Sequence, residues 1–196
     1  SGLLEPDSGT LNINGENIKY FSPNEMQSLG VGRIPEDRHH DGVIGAMSVA
    51  ENLIIERLND KDINSRGFLQ NKEINENAKE LIEKYDIRGP GVDAKASLLS
   101  GGNIQKLILA RVFECRPIVI LANQPTRGLD LGAANEVARR LLEARKRGAG
   151  ILLISEDLDE IIALSDRIIV IHNGSLTEAH NADREAIGLM MAGESA

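Results

Sequence analysis

The stretch LLSGGNIQKLILAR, residues 98 to 111, combines residue types that can bind a phosphate. Ser100 stands where the N-cap of a helix is expected, and Gly101 and Gly102 let another group approach the backbone closely. The apolar residues that follow have the spacing of one helix face, so several backbone N–H groups would point out of the helix start. Taken alone, the same pattern is more typical of an ordinary capped loop, and its meaning depends on the rest of the chain.

A second stretch, ILANQPTRGLD at 120 to 130, is typical of a buried strand that runs into a turn. A strand end that binds a divalent cation and activates water needs carboxylates, yet the first acid here is Asp130. Asn123 and Gln124 offer amides, which keep a hydrogen-bonding oxygen but carry no negative charge and cannot act as a base near neutral pH. The stretch therefore has the form of such a site without its acids.

The sequence G-x-x-x-x-G-K-[ST] does not occur, and Gly is nowhere followed by Lys. That motif supplies both the backbone amides that surround the α and β phosphates and the lysine that reaches the β and γ phosphates. We therefore expect that this chain alone does not bind ATP tightly.

The overall composition narrows the classes of function. The 196 residues are 41% apolar and 27% charged, as in a globular protein with one core or a core and a smaller lobe. A net charge of −8 disfavours nucleic acid as a partner, and the single cysteine, Cys115, excludes an internal disulfide. We expect Cys115 to be a partly buried, structural thiol. No apolar run approaches the roughly 20 residues that span a bilayer, which predicts a cytosolic chain unless a partner holds it at a membrane.

The elements that must position these residues follow from periodicity. GTLNING at 9–15 predicts a half-buried strand entering an Asn-Gly hairpin turn, and residues 73–85 predict an amphipathic helix. Residues 56–72 read as a loop of uncertain shape. Three apolar runs predict strands covered on both faces, with a helix between the first two and an Asn-Gly turn after the third: PIVILA (117–122), GILLIS (150–155) and RIIVIH (167–172).

The order of these segments resembles that of the ATP-binding cassette (ABC) ATPases over nearly the whole chain. LLSGGNIQKLILAR resembles the signature motif of that family, and QPTRGLD its Walker B strand end and D-loop. GLLEPDSGTLNING resembles the segment that follows the P-loop helix of that family. Residues 31–53 resemble its Q-loop and the entry to its helical subdomain, and residues 151–174 resemble its switch strand and the segment after it. The segments PEDR and QPTRGLD further resemble those of the second, C-terminal cassette of tandem ATPases that drive importers of simple sugars and nucleosides.

The resemblance implies roles for single residues. Active members carry Asp-Glu at the positions of Asn123 and Gln124, and a histidine at the position of Glu156, so no catalytic residue is intact. Glu36 stands at the glutamine of the Q-loop, where it either reaches Mg²⁺ or water or has only a surface role. In the family, each composite ATP site takes its signature from the opposite cassette. Four residues would therefore bind the partner's ATP: Ser100, Gly101, Gly102 and Asn103.

The implied fold is an α/β P-loop NTPase (RecA-like) core fragment with an inserted α-helical ABC subdomain and a short antiparallel β portion. We expect residues 1–36 to form the β portion and Q-loop of the core, 37–112 the helical signature subdomain, and 113–196 the core with the Walker B, D-loop and switch regions. Asp130 would lie at the seam between two cassettes. The P-loop would precede Ser1.

The implied assembly contains ATP and Mg²⁺, with neither expected to bind tightly to this fragment. Its partners would be a second cassette, from the same polypeptide or a homologous subunit, and membrane-spanning permease subunits, with a solute-binding protein involved indirectly. The place of action would be the cytoplasmic face of the cell membrane. Two other classes stay open: a non-transport ABC ATPase acting on DNA or ribosomes, and a regulatory or scaffold module. We expect His39, His40, His172 and His180 to be solvated rather than metal-bound.

Overall fold

The computed structural model describes residues 2–179 and 183–193. The chain divides into two compact units, Ser1–Leu152 and Leu153–Ala196, with the division inside a strand.

The first unit contains most of the secondary structure. In chain order its elements are β1 (Asn12–Ile13), β2 (Glu16–Asn17), α1 (Pro23–Ser28), β3 (Val31–Ile34), α2 (Val49–Ile54), β4 (Asn64–Ser65), β5 (Phe68–Leu69), α3 (Asn71–Lys84), α4 (Gly101–Glu114), β6 (Val119–Asn123), α5 (Leu131–Lys146) and β7 (Gly150–Ile154). The second unit continues with α6 (Leu158–Leu164), β8 (Ile168–His172), β9 (Ser175–Ala179) and α7 (Arg184–Ala192).

A sheet with the strand order β3-β6-β7 forms the centre of the first unit. Strands β3 and β6 are parallel, with Val31 opposite Val119 and Ile34 opposite Ala122. Because the strands are parallel and in this register, the segments that follow Ile34 and Ala122 leave the sheet at the same edge. Helix α4 packs on β3, where Gly32 is required because a Cβ would lie 2.8 Å from Cγ1 of Val112.

Helices α2, α3 and α4 form a helical layer whose apolar faces meet in the core. The predicted stripe of α3 is confirmed: Ile74, Ala78 and Leu81 are buried, although the helix runs over Asn71–Lys84 rather than 73–85. Helix α2 begins with a reciprocal capping box between Ser48 and Glu51, and the Ser48 N–H lowers the pKa of the Glu51 carboxyl.

The C-terminal ends of α3 and α4 are joined to α5 by a polar cluster. Tyr85 donates its hydroxyl to Oε1 of Glu114 at 2.8 Å, and Lys84 Nζ donates to the same oxygen at 2.7 Å. The guanidinium of Arg140 on α5 lies 4.2 Å from the centre of the Tyr85 ring. This contact, a cation–π pair with a buried ring, stabilises the helical layer against α5.

The two predicted Asn-Gly turns are confirmed. Asn14 and Gly15 adopt φ of 51° and 83° between β1 and β2, and Asn173 and Gly174 adopt 47° and 77° between β8 and β9. Left-handed backbone at both central residues is the turn that matches the twist of a hairpin. The first strand is shorter than predicted, since β1 covers only Asn12–Ile13 of residues 9–15.

Two other predictions about local structure were wrong. Residues 56–72 are not simply a loop, because β4 and β5 pair within them as a short hairpin. The apolar runs are not covered on both faces: Leu152 and Ile154 of β7 and Ile169 and Ile171 of β8 are exposed. In the second unit, α7 and its neighbours cover only the face of β8 that carries Ile168 and Val170. The prediction failed because the composition of a strand does not specify which elements pack on it.

None of the helices within residues 2–179 and 183–193 combines the length and the apolar content needed to span a membrane.

Candidate functional site

The predicted helix start at Ser100 is present and open. Ser100 is the N-cap residue of α4 with extended backbone (φ −67°, ψ 158°), but its side chain does not cap the helix. Instead its Oγ accepts a hydrogen bond from Nδ2 of Asn103 at 2.9 Å. No atom outside the helix backbone lies within 4 Å of a Cβ built on Gly102, and on Gly101 the nearest is His39 Nε2 at 3.8 Å. The first turn of α4 is therefore accessible to a ligand or a partner.

Side chains on both sides of this first turn fix its position. Asn103 Oδ1 accepts the Arg88 N–H at 2.8 Å, which ties the turn to the segment after α3. Lys106 Nζ donates to the carbonyl and to Oδ2 of Asp86, both at 2.7 Å. The Lys106 ammonium, followed by Arg88, holds the pKa of the Asp86 carboxyl below its usual range. The side chain of Asn103 thus connects the first turn of α4 to Arg88 through its oxygen and to Ser100 through its nitrogen.

The turn after β6, residues 124–128, is held against α4. Gln124 has φ of +48°, an uncommon conformation for a residue with a side chain. Gln105, buried on α4, donates its Nε2 to the Pro125 carbonyl at 2.7 Å. Helix α4 therefore contacts the backbone of the segment that resembles Walker B.

Glu36 lies beside this turn rather than free in solvent. Its Oε1 accepts from Nη1 of Arg127 at 2.5 Å, and Nη2 of Arg38 donates to the Arg127 carbonyl. The backbone N–H groups of His39 and His40 donate to Asp37 Oδ1, each at 2.9 Å, and lower the pKa of that carboxyl. The predicted Q-loop and D-loop segments are therefore in direct contact.

Asp130 is exposed and is the N-cap of α5, where Oδ1 accepts the Ala133 N–H at 2.9 Å. Its structural role is clear, because an N-cap aspartate both satisfies a free amide and carries negative charge at the helix N-terminus. One carboxylate oxygen engages this amide, and the side chain remains accessible.

Glu156 belongs to the second unit, directly after β7, and it is exposed. The next residue, Asp157, is the N-cap of α6 and accepts from the N–H groups of Asp159 and Glu160. The role of Glu156 in a site with Asn123 and Gln124 stays a prediction.

The donor set at the ends of β3 and β6 does not fit Mg²⁺, which prefers carboxylate oxygens and waters. Asn123 and Gln124 provide amides, and Glu36 is paired with Arg127. Within residues 2–179 and 183–193, no group of three or more His, Cys, Asp or Glu is placed to hold a metal ion.

The remaining candidates have structural explanations. His40 pairs with Asp41, its Nδ1 2.7 Å from Oδ1, and this carboxylate raises the imidazole pKa; His172 Nδ1 lies 3.0 Å from the Met191 carbonyl oxygen. His180 lies outside the described residues.

Cys115 is exposed rather than partly buried as predicted, because it follows the last residue of α4. Desolvation, followed by the nearby Glu56, still raises the pKa of its thiol to about 11, so it remains protonated at neutral pH.

Sequence reasoning missed the residues that shape the segment after the Q-loop. Asn52 is fully buried, and its side chain accepts the Ile44 N–H at 2.8 Å and donates to the carbonyls of Ile44 and Ser48 at 3.0 and 2.9 Å. Arg111, also buried, donates to the Gly42 carbonyl at 2.7 Å. The only sequence signal for these contacts was Asn52, a polar residue on the apolar face of the short helix α2.

The loop that Asn52 holds, residues 44–48, presents apolar side chains to solvent. Gly45 and Met47 accept backbone hydrogen bonds from Ser97 and Ala96, so the loop is paired with residues 95–97. Ile44 and Met47 are exposed on the loop, and Leu98 is exposed directly after residues 95–97. We call these three side chains the apolar patch.

Comparison with known proteins matches the sequence of this chain to one family. The sequence model described as "ABC transporter" matches residues 1–127. The nucleoside import ATP-binding protein NupA of Lactococcus lactis subsp. cremoris is 40% identical over 98% of this chain and 39% of its own length. The guanosine import ATP-binding protein NupO of Bacillus subtilis is 39% identical over 100% of this chain and 39% of its own length.

The glucose import ATP-binding protein TsgD13 of Haloferax volcanii is 42% identical over 98% of this chain and 36% of its own length. The chain therefore spans less than half the length of the relatives it matches. Among solved structures, the dimeric ATP-binding cassette MJ0796 in a post-hydrolysis state with ADP and Pi is similar in fold. It has a TM-score of 0.72 at 20% identity, covering 92% of this chain and 77% of that chain.

Proposed function

We propose that this chain, which belongs to the ABC transporter family, is the C-terminal cassette of an ATP-binding protein that powers import of simple sugars or nucleosides. Relatives described as nucleoside, guanosine and glucose import ATP-binding proteins support this assignment. Because the chain covers 39% of NupA, we infer that the P-loop and a first cassette belong to the longer protein.

One contrast carries the proposal. The helix start at Ser100, Gly101 and Gly102 is open, whereas β6 ends in the amides Asn123 and Gln124. A cassette whose signature serves the ATP of the other cassette needs the first feature and not the second. The chain thus contributes Ser100 to Asn103 to the partner's ATP, while its own site is catalytically degenerate.

The chemistry of the two composite sites then differs. Magnesium bound with ATP supplies positive charge for the phosphates, and we place it at the site built on the other cassette. In the site of this chain, Asn123 and Gln124 cannot act as a base, and loss of a general base lowers a rate by roughly 10² to 10⁴. Glu156, in the switch position, would repel a phosphate instead of donating to it. The fragment alone is therefore inactive.

Asp130 and the apolar patch would connect the chain to its partners. Asp130 is exposed at the start of α5, and its position there is compatible with a contact at the seam with the second cassette. Two members of the apolar patch, Ile44 and Met47, belong to residues 37–58, the segment that we assign to the permease subunits at the cytoplasmic face of the membrane. These two side chains project from a loop held by a buried amide, as a rigid contact surface requires.

Uptake by the reconstituted transporter tests this function. The full-length ATP-binding protein, its permease subunits and its solute-binding protein are placed in proteoliposomes with ATP inside and a panel of labelled nucleosides and simple sugars outside. We expect ATP-dependent uptake of at least one member of the panel. No uptake, with ATP turnover stimulated instead by DNA or ribosomes, would establish the non-transport class; no turnover under any condition would establish the scaffold class.

A further inference from the structure

The turn after β6 is held by the Q-loop through charged groups. The guanidinium of Arg127 lies 2.5 Å from Oε1 of Glu36, and Arg38 donates to the Arg127 carbonyl. The Arg38 guanidinium also runs beside Gly128, where a Cβ would lie 3.3 Å from Nη2. Two residues of the Q-loop, Glu36 and Arg38, and two of the turn, Arg127 and Gly128, therefore form a single contact.

The register of the sheet explains why these residues meet although they are 91 positions apart. Ile34 lies opposite Ala122 in the parallel pair of β3 and β6, so Glu36 and Gln124 stand at equivalent positions, two residues beyond it. The chain then turns back at Gln124, with φ of +48°, and Arg127 reaches Glu36. The left-handed residue and the ion pair belong to one local structure.

The charges at this strand edge are arranged differently from those of a metal site. A carboxylate close to a divalent cation would need further acids beside it, whereas here the neighbours are the amides of Asn123 and Gln124 and the cations Arg127 and Arg38. The glutamine expected in the Q-loop is neutral and would form no ion pair. With glutamate at position 36, an arginine at position 127 has a carboxylate partner.

We propose that Arg127 is a positioning residue that takes the place of a metal-centred contact, tying the Q-loop through Glu36 to the D-loop. This inference rests on the proposed function. Arg127 lies three residues before Asp130, the N-cap of α5, and Pro125 in the same turn accepts from Gln105 of α4. A movement of the Q-loop is passed through this pair to the signature helix and the seam without nucleotide chemistry in this cassette.

The pair is suited to a movable contact. The side chains of Arg127 and Glu36 are 60% and 48% exposed, so water screens their attraction and the pair can exchange partners. Its effect lies in orientation more than in stability, because the Arg38 and Gln105 contacts hold the same turn.

Exchange of the two charges tests the proposal in the full-length protein with its permease. Glu36→Arg and Arg127→Glu each place like charges together, and we expect each to lower permease-stimulated ATP turnover by about 5-fold or more. The double exchange restores the opposite charges and should recover at least half of the stimulation. Glu36→Gln, which keeps the size of the side chain but removes the charge, should also lower the permease-stimulated turnover.

The matched control is the exchange Arg167→Glu with Glu178→Arg on the β8–β9 hairpin, a pair with similar exposure of 72% and 38%. Those variants should leave stimulation unchanged. If the single exchanges at 36 and 127 behave like this control, or if the double exchange fails to recover stimulation, Arg127 does not have the proposed role.

Hydrogen exchange gives a readout that needs no nucleotide. The amides of Asp41 and Leu129, bonded to the Asp37 and Thr126 carbonyls at 2.9 and 3.0 Å, report on the two loops. Both should exchange faster in Glu36→Gln and Arg127→Glu and return toward the original rate in the double exchange; unchanged rates in the single variants would overturn the proposal. A loss of turnover in Ser100→Arg together with no effect at positions 36 and 127 would refute this inference alone, whereas unchanged turnover in Ser100→Arg would refute the proposed function.

Discussion

Replacing Ser100 with Arg in the full-length protein is expected to lower ATP turnover at least about 100-fold, the cost of losing a donor at a developing charge. Ser100 is exposed at the N-cap of α4, and no atom other than the helix backbone lies within 4 Å of a Cβ at Gly102. In the proposed composite site, a long side chain at position 100 would fill the space that the partner's γ-phosphate is expected to occupy. Steady-state turnover of the purified protein measures the effect.

The matched control is Ser65→Arg, which places the same side chain at an exposed serine on the β4–β5 hairpin. Its turnover and its melting temperature should equal those of the unchanged protein. The melting temperature of Ser100→Arg should also be unchanged, because the site is exposed. Unchanged turnover in Ser100→Arg would mean that the two cassettes do not share composite sites.

Replacing Asn52 with Ala is expected to lower the free energy of unfolding by roughly 2 to 4 kcal/mol. The side chain of Asn52 is fully buried and satisfies the N–H and carbonyl of Ile44 and the carbonyl of Ser48. Alanine leaves these groups without their partner and opens a small cavity. Urea denaturation followed by circular dichroism gives the value.

The control for this prediction is Asn59→Ala, at an exposed position in the loop after α2, with an expected change within about 0.5 kcal/mol. Asn52→Ala should also reduce permease-stimulated turnover, since the apolar patch depends on the 44–48 loop. A stability loss no larger than that of Asn59→Ala would show that Asn52 does not hold this loop.

Features with a short-range physical cause were predictable from the sequence. Asn-Gly at 14–15 and 173–174 specifies a hairpin because both residues tolerate left-handed backbone, and both hairpins are present. The 3.6-residue spacing of Ile74, Ala78 and Leu81 predicted α3 because a single face must be buried. The helix start at Ser100 followed from residue types alone.

Features that depend on distant partners were not predictable. The Glu36–Arg127 pair spans 91 positions and the Gln105–Pro125 contact 20, and neither leaves a local pattern. Ser100 occupies the predicted N-cap position, but its hydroxyl accepts a hydrogen bond from Asn103 and not from a helix amide. Apolar composition marked β7 and β8 as strands but did not specify their exposure, which is set by neighbouring elements.

The candidate site also contains some features that are visible in the sequence and others that depend on distant partners. Substituted positions such as Asn123 and Gln124 are visible in the sequence because the chemistry of a carboxylate cannot be supplied by an amide. The contacts that hold this strand end are visible only in three dimensions, where Arg127, Arg38 and Gln105 hold one turn. We interpret the strand end as a mechanical connection that has kept its geometry.

The central claim is that this cassette lends its signature to the other cassette and does not hydrolyse ATP in its own site. Trapping of ADP by orthovanadate in the full-length protein, followed by counting of bound nucleotide, tests it most directly. We predict one trapped ADP per protein with two cassettes, and none after Ser100→Arg. Two trapped ADP molecules, or one that persists in Ser100→Arg, would contradict the claim.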